Sequence, residues 1–175
     1  MQNPIWCLIF KMIYKFMRAP YQVLIFPFIK EENKHYYAIF KRKDLGIWQG
    51  LAGGGEGDES PLEAAKREAY EEAAIGGDSR YIRLSSMTTI PAANICGLIW
   101  GDTVMIPEFS FGVEVSSKEL KISSEHIQYL WLSCDGAINK LRYDSNKSAL
   151  WELDYRLKNG LAGMKENIQS IKKFF

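Results

Sequence analysis

The sequence is poor in cysteine and histidine, on which zinc fingers and disulfide-rich domains depend, and it has almost no net charge. Its 175 residues include three cysteines, which are scattered without a Cys-x-x-Cys pair, and two histidines. Separated cysteines in odd number indicate reduced thiols in a cytoplasmic protein, and two histidines argue against a histidine-rich zinc site. The formal net charge is +1, so we expect no strong attraction to a nucleic-acid polymer or an anionic membrane.

The N-terminus lacks an apolar run long enough to cross a membrane. Residues 5–10 are apolar, but basic residues interrupt the continuation at helical spacing, and no signal-peptide cleavage site is present. We expect residues 1–17 to be a peripheral extension outside the chemistry, with Met17 as an alternative start. The other interpretation is a basic amphipathic helix on a membrane or partner. We do not expect membrane contact of residues 5–16, because the apolar residues surround the helix instead of forming one stripe.

The overall composition is that of a globular domain. Apolar residues make up 47% of the chain and charged residues 25%, and the length allows one full hydrophobic core. Apolar and β-branched patterns predict strands at residues 21–29, 36–42, 81–87, 104–115 and 127–132, and helical patterns follow at 61–74, 135–141, 145–158 and 165–175.

One stretch, residues 53–75, joins a glycine-rich segment to a strong helix pattern. Three consecutive glycines at 53–55 predict an irregular loop, because glycine gives the backbone freedom rather than direction. Ser60 and Glu63 form a capping box, which starts the helix predicted over residues 61–74. We expect the two glycines that follow Ile75 to end it.

Three glutamates of this helix share one face. Glu68, Glu71 and Glu72 stand at i, i+3 and i+4, where like charges destabilise a helix by roughly 0.2–0.5 kcal/mol per pair. Carboxylates crowded in this way usually hold a hard divalent cation, and all-oxygen ligands favour Mg²⁺ or Mn²⁺. The alternative is a solvated acidic face. In either case we expect Glu72 on an exposed side of the helix.

The spacing of these residues closely resembles the Nudix box. Gly53 is followed after five residues by Glu59 and after seven more by Arg67, which begins the run Arg-Glu-Ala-Tyr-Glu-Glu-Ala-Ala-Ile. Every charged position of the family pattern matches. Ala74 stands where the family prefers glycine, and Asp58 stands where a glycine often precedes the first glutamate.

The resemblance implies an α/β fold, an α/β/α sandwich with a mixed sheet, for a domain at residues 18–160 that a helical segment at 161–175 follows. It also implies a hydrolase of nucleoside diphosphates linked to another moiety, with Mg²⁺ or Mn²⁺ as cofactor. The three helix glutamates and the carbonyl of Ala52 are then metal ligands.

The same resemblance assigns structural roles within the motif. Arg67 is expected beneath the carboxylates, paired with Glu59, so that it fixes the loop against the helix. Gly53 and Glu56 belong to the motif as well, and Glu56 has the alternative of reaching the metals from the loop.

Short matches beyond the box resemble one Nudix branch, the dihydroneopterin triphosphate and dATP pyrophosphohydrolases. They follow in that branch's order as Arg42-Lys43-Asp44, Trp48-Gln49, Ser124-Glu125-His126, Tyr129 with Trp131-Leu132, and Ser145-Asn146.

The branch resemblance implies further site residues. Glu125 would complete the metal site, within one metal's reach of a helix glutamate, and a surface carboxylate is the alternative. Arg18, Arg42 and Ala52 would hold the substrate, with a solvated strand end as the alternative for Arg42. Tyr143 or Trp48 could stack on a base or pterin, although a place in the core is the default for Trp48.

These patterns predict a magnesium-dependent pyrophosphohydrolase that cleaves a small nucleoside or pterin triphosphate to the monophosphate and pyrophosphate. Glu71, Glu72 or Glu125 would accept a proton as water attacks phosphorus. Three alternatives stay open: a hydrolase of dinucleoside polyphosphates or nucleotide sugars, a non-catalytic nucleotide sensor, and an interaction protein that uses the N-terminus. The exact substrate and the oligomeric state are not set by the sequence.

Overall fold

The computed structural model describes residues 18–95 and 100–163. The strands are β1 (Arg18–Glu31), β2 (Lys34–Arg42), β3 (Trp48–Gln49), β4 (Leu51–Glu56), β5 (Tyr81–Pro91), β6 (Met105–Glu114) and β7 (His126–Leu132). The helices are α1 (Pro61–Ala73), α2 (Cys134–Lys140) and α3 (Asp144–Lys158), and a 3₁₀ turn covers Ala92–Asn94. The extension predicted at 1–17 and the helix predicted at 165–175 lie outside the described residues. Within those residues, no helix is long and apolar enough to cross a membrane.

Strand β1 lies at the centre of the sheet. It pairs antiparallel with β2 near its C-terminal end and antiparallel with β4 nearer its N-terminal end. It also runs parallel to β6, with Leu24 opposite Ser110. β5 extends the sheet beyond β6, while β3 and β7 both pair with β2. The sheet is therefore mixed, as predicted.

Alternating residues of β1 build a core on each face of the sheet. Val23 and Ile25 pack against the alanines of α1. Leu24 and Phe26 point the other way and pack against the leucines of α3 and Ala137 of α2. This alternation is the period of two expected of a strand that is covered on both faces. The α/β/α sandwich is confirmed.

The prediction of an irregular glycine loop at residues 53–55 is wrong. These glycines lie inside strand β4, where Gly53 and Gly54 pair with β1. Side chains from elsewhere occupy the space that a Cβ would need: the carboxyl group of Glu68 at Gly53, the guanidinium of Arg18 at Gly54 and the ring of Tyr21 at Gly55. Glycine serves here for close approach rather than for backbone freedom.

Helix α1 begins as predicted and ends earlier than expected. Both hydrogen bonds of the Ser60–Glu63 capping box are present. The helix ends at Ala73 because Ala74 adopts a left-handed conformation with φ 53°, so the glycines after Ile75 do not end it. The Ala74 N–H still donates to the Tyr70 carbonyl at 2.9 Å. A left-handed alanine costs about 1–2 kcal/mol, which gives a physical reason for glycine at this position.

Candidate active site

A cavity of about 820 Å³ opens between α1, β4, the segment after β2 and the segment before β7. Of the site residues predicted from the sequence, all but Glu59, Tyr143 and the alternative stacking residue Trp48 line this cavity. The lining ones are Arg18, Arg42, Ala52, Gly53, Glu56, Arg67, Glu68, Glu71, Glu72 and Glu125.

Arg67, in the middle of α1, pairs with Glu59 as predicted and connects the helix to strand β4 and to the turn that follows it. Its Nε and Nη2 donate to the two carboxylate oxygens of Glu59 at 2.9 and 3.0 Å, and Nη2 also donates to the Gly54 carbonyl at 2.7 Å. A bidentate pair of this kind is stronger and more directional than a single ionic contact. The hydrogen bond from Arg67 holds the pKa of the Glu59 carboxyl below its usual range.

Glu59 supports the site from behind the cavity wall. Its carboxylate accepts from the Glu56 N–H at 2.9 Å, and its carbonyl accepts from the Tyr21 hydroxyl at 2.6 Å. These bonds fix the turn between β4 and α1, so the structure gives Glu59 a supporting position rather than a contact with the cavity.

Arg67 also contacts two of the predicted metal ligands. Its Nη1 lies 2.9 Å from Glu68 Oε1 and 3.1 Å from Glu71 Oε2. Glu68 is 8% exposed and sits where Gly53 leaves room for its carboxyl group. Burial raises the pKa of the Glu68 carboxyl, and the Arg67 guanidinium opposes that rise. The Glu71 side chain is 55% exposed and faces solvent.

Glu72 is buried, so the expectation of an exposed helix face is wrong for this residue. It is 4% exposed, and its Oε2 lies 2.6 Å from Nε2 of His126, which is buried as well. The Ser123 N–H donates to the Glu72 carbonyl at 2.9 Å. The segment before β7 covers this end of the helix, which explains why a charged residue there is enclosed.

Glu125 reaches the cavity from the segment before β7. Its Oε2 lies 3.5 Å from Nη1 of Arg42, and its side chain is 57% exposed. Arg42 is held further by Asp44, which accepts from Nε at 3.0 Å and from Nη2 at 2.8 Å. Arg42 lowers the pKa of the Asp44 carboxyl to about 2. Glu125 therefore lies on the cavity side of the sheet, and its role as a metal ligand stays a prediction.

The four glutamates predicted as metal ligands have the chemistry that a hard cation requires. All offer oxygen, the donor that Mg²⁺ and Mn²⁺ prefer, and one cavity collects them. In the described part of the chain, however, no three carboxylates, histidines or cysteines already converge as a metal site. Hydrogen bonds and ion pairs to Arg67, His126 and Arg42 engage these carboxylates. The residues that would hold an ion are Glu68, Glu71, Glu72 and Glu125, with the carbonyl of Ala52.

The remaining predicted contacts divide into two groups. Arg18 lines the cavity beside Gly54, and its carbonyl accepts from Trp100 Nε1 at 2.9 Å. Tyr143 lies just before α3 with 45% of its surface exposed, and it is not part of the cavity wall. The structure therefore does not bring Tyr143 together with the other site residues. Trp48 is partly buried against the core below α2 and α3, as its default interpretation expects.

Sequence reasoning missed two polar residues on the sheet itself. Gln22 lines the cavity. Glu108 lies opposite Gln22 in the parallel register of β1 and β6. Glu108 is 6% exposed and hydrogen-bonded to the Ser145 side chain; burial raises the pKa of its carboxyl to about 7. The available signal was a polar residue within each otherwise apolar strand pattern.

Comparison with known proteins agrees with this geometry. The family model of the NUDIX domain matches residues 22–151. A solved NUDIX hydrolase from Listeria monocytogenes is 37% identical, with a TM-score of 0.77 over 84% of this chain and 100% of the other. No curated protein matches the chain.

More distant solved structures share the fold. The dihydroneopterin triphosphate pyrophosphohydrolase of E. coli is 19% identical, with a TM-score of 0.68 over 80% of this chain and 98% of that one. A C. elegans Ap4A hydrolase is 17% identical, with a TM-score of 0.61 over 81% and 99%. Identities this low support the architecture and leave the substrate open.

Proposed function

Because the chain belongs to the Nudix family and is a hydrolase of phosphoanhydrides, we propose that it is a magnesium-dependent pyrophosphohydrolase. Its substrate is a nucleoside or pterin triphosphate, and its products are the monophosphate and pyrophosphate. The observation that carries this proposal is one cavity lined by the four glutamates predicted as metal ligands, together with Arg18 and Arg42. Anionic side chains suit a divalent cation, and the arginines suit the phosphates bound to it.

Each group of residues has a separate task in this proposal. Glu68, Glu71, Glu72 and Glu125 would hold Mg²⁺ or Mn²⁺ with the Ala52 carbonyl. A bound divalent cation supplies neutralisation of the phosphate oxygens and lowers the pKa of a bound water. Arg18 and Arg42 orient the phosphate chain, and Asp44 keeps Arg42 in place by holding Nε and Nη2. Orientation of this kind lowers the entropic part of the barrier.

A carboxylate must accept the proton of the attacking water. Glu71 and Glu125 are about half exposed and therefore open to water, whereas Glu72 is enclosed against His126. We keep all three as candidates for the general base. The glutamine variants are compared singly at several Mg²⁺ concentrations. Loss of a metal ligand should raise the Mg²⁺ concentration needed for half-maximal rate, whereas loss of the general base should lower kcat at saturating Mg²⁺ and remove the acidic limb of its pH profile.

The choice of a triphosphate is supported by residues outside the box. The Ser124-Glu125-His126 run is present, and the structure gives all three defined positions: Ser124 and Glu125 line the cavity and His126 contacts Glu72. The fold is also similar to that of a dihydroneopterin triphosphate pyrophosphohydrolase. Neighbours with the same fold include an Ap4A hydrolase and the NUDIX domain of Shewanella oneidensis NrtR, complexed with ADP ribose. Dinucleoside polyphosphates and ADP-ribose are therefore the competing substrates.

The test is a panel assay with Mg²⁺ that distinguishes released pyrophosphate from other products. We expect pyrophosphate from a nucleoside triphosphate or from dihydroneopterin triphosphate, at higher kcat/KM than hydrolysis of Ap4A or ADP-ribose. Preferred hydrolysis of Ap4A or ADP-ribose would replace the proposed substrate class. Binding of nucleotides without any turnover would instead identify a sensor.

The matched variants are Glu72→Gln and Glu119→Gln. The first keeps a carbonyl that accepts a hydrogen bond from His126 but loses the charge, so we expect turnover to fall at least about 100-fold with the fold preserved. Glu119 is exposed and outside the cavity, so its variant should match the wild type. Wild-type rate and magnesium dependence in Glu72→Gln would show that this cavity is not the active site.

A further inference from the structure

His126 is a buried histidine whose side chain makes a polar contact with the carboxylate of Glu72. It is the first residue of β7, its side chain is fully enclosed, and its ring centroid lies 5.2 Å from that of Phe40. Nε2 lies 2.6 Å from Glu72 Oε2, across 54 positions of the chain. Since a carboxylate only accepts, the hydrogen in this bond belongs to Nε2.

The other ring nitrogen gives the second observation. Nδ1 of His126 is buried and has no hydrogen-bond partner among the described residues. A buried polar atom without a partner costs free energy, and a phenylalanine would fill the same space beside Phe40 without that cost. The imidazole is therefore poorly explained by packing alone. The hydrogen bond to Glu72 is a reason for an imidazole at this position.

We propose that His126 is a positioning residue for the metal site, which acts by holding the Glu72 carboxylate in the orientation that binds a divalent cation. This inference rests on the proposed function. The bond engages one carboxylate oxygen, Oε2, and would leave Oε1 available to the cation. Hydrogen-bonded partners of metal ligands fix ligand orientation in this way.

The backbone around His126 reinforces the same arrangement. The His126 N–H donates to the Ser123 carbonyl at 3.3 Å, and the Ser123 N–H donates to the Glu72 carbonyl at 2.9 Å. Residues 123–126 thus contact Glu72 in the last turn of α1 both at its backbone carbonyl and at its side chain. Glu125 belongs to the same segment, so the contact at His126 also sets the separation of Glu125 from the helix carboxylates.

The experiment measures Mn²⁺ binding to the full-length protein without substrate, by titration calorimetry and by electron paramagnetic resonance of free Mn²⁺. Three variants are compared: His126→Gln, His126→Asn and His126→Phe. The glutamine amide nitrogen can take the place of Nε2, whereas the asparagine side chain is too short to reach Glu72. His35→Gln is the control, since His35 is the other histidine and lies outside this cavity.

We expect His126→Asn and His126→Phe to raise the Kd for Mn²⁺ roughly 10–100-fold, as loss of a ligand's hydrogen-bond partner typically does. His126→Gln should stay within about threefold of wild type, and His35→Gln should be unchanged. In a Glu72→Gln background, His126→Asn should have no further effect on the Kd. Thermal unfolding with EDTA establishes that each variant compared is folded, and the Gln and Asn pair decides the matter if His126→Phe does not fold.

Two results overturn the inference in distinguishable ways. Equal Mn²⁺ affinity for folded His126→Asn and wild type overturns the positioning role and leaves the proposed function intact. Absence of Mn²⁺ binding by the wild-type protein overturns the proposed function and the positioning role together.

Discussion

Glu68 and Glu72 place their carboxylates in the protein interior, where 8% and 4% of each residue is exposed. Burial of a carboxylate is unfavourable unless a polar or charged group accompanies it. Arg67 accompanies Glu68 and His126 accompanies Glu72. The fold therefore uses a cation and an imidazole to keep acidic groups beside a cavity, which a solvated acidic face would not require.

Glu108 provides a test of how burial couples to pH at one residue. Burial raises the pKa of its carboxyl to about 7, above the 4.5 of the unfolded chain. The unfolded state therefore loses this proton first as pH rises. The contribution of Glu108 to the free energy of unfolding therefore falls by at most about 3 kcal/mol between about pH 4.5 and pH 7, and it is constant above pH 7. The contribution of Glu108 is thus most favourable below pH 4.5.

We expect Glu108→Gln to gain stability relative to wild type as the pH is raised from 5 to 8, because the amide does not ionise. Urea unfolding with EDTA at both pH values measures the difference, and other titrating groups cancel because both proteins carry them. A difference between the two proteins that does not change with pH would contradict the assignment of the raised pKa to Glu108.

Ala74 provides a test of backbone strain at one residue. Its φ of 53° is left-handed, a conformation that glycine adopts without the Cβ clash. We expect Ala74→Gly to stabilise the protein by roughly 0.5–1 kcal/mol, because relief of strain exceeds the greater entropy of glycine in the unfolded chain. That corresponds to a rise in Tm of about 1–4 °C. Ala73→Gly, inside the helix, should lower Tm, and a fall in Tm for Ala74→Gly would contradict the strain argument.

At the scale of elements, strand β4 joins the sheet to the site. A Cβ at Gly53 would overlap the Glu68 carboxyl group, the movable end of a flexible side chain. A Cβ at Gly55 would overlap the Tyr21 ring. This ring is rigid, and its hydroxyl donates a hydrogen bond to the Glu59 carbonyl. The two glycines thus differ in which side chain an added Cβ would displace.

We therefore expect Gly53→Ala to lower kcat/KM at least about tenfold while Tm changes by only a few degrees, since Glu68 turns away from its position. Gly55→Ala should instead lower Tm markedly, because the Tyr21 contact is lost. Steady-state kinetics and thermal unfolding measure both, with Gly76→Ala as a control that meets no described atom within 4 Å. Equal effects of the two substitutions on activity and on Tm would contradict this division.

The elements differ in how far the sequence could predict them. The capping box and the spacing of Glu68, Glu71 and Glu72 describe neighbours on one helix, so α1 and its acidic face were predictable. Strand β4 was not, because the side chains that fill the space over its glycines come from other segments. The contact of Glu72 with His126 was hidden for the same reason. Sequence spacing defines local neighbours, whereas pairings across the chain depend on the sheet topology.

At the scale of the whole molecule, β1 connects β2, β4 and β6 and contributes residues to the cavity wall. Its N-terminal residue Arg18 lines the cavity, and Gln22 lies between Gly54 of β4 and Glu108 of β6. Its inner residues hold the cores on both faces. The position of the cavity is therefore set by the same strand that holds the sandwich together.

This arrangement gives a prediction about the chain before β1. A protein that starts at Met17 keeps Arg18 and all the strands and helices described above. We therefore expect it to fold, with a Tm within a few degrees of the full chain, and to retain most magnesium-dependent activity. Circular dichroism, thermal unfolding and the pyrophosphate assay measure these outcomes.

A second truncation that starts at Val23 is the contrasting variant. It removes Arg18 and Gln22 from the cavity wall and shortens the pairing of β1 with β4 and β6, so it should lose both activity and stability. If the chain starting at Met17 were insoluble or unfolded, residues 1–16 would cover part of the core. They would then belong to the domain rather than extend from it. Retained folding with lost activity would instead place part of that segment at the cavity, where Arg18 already lies.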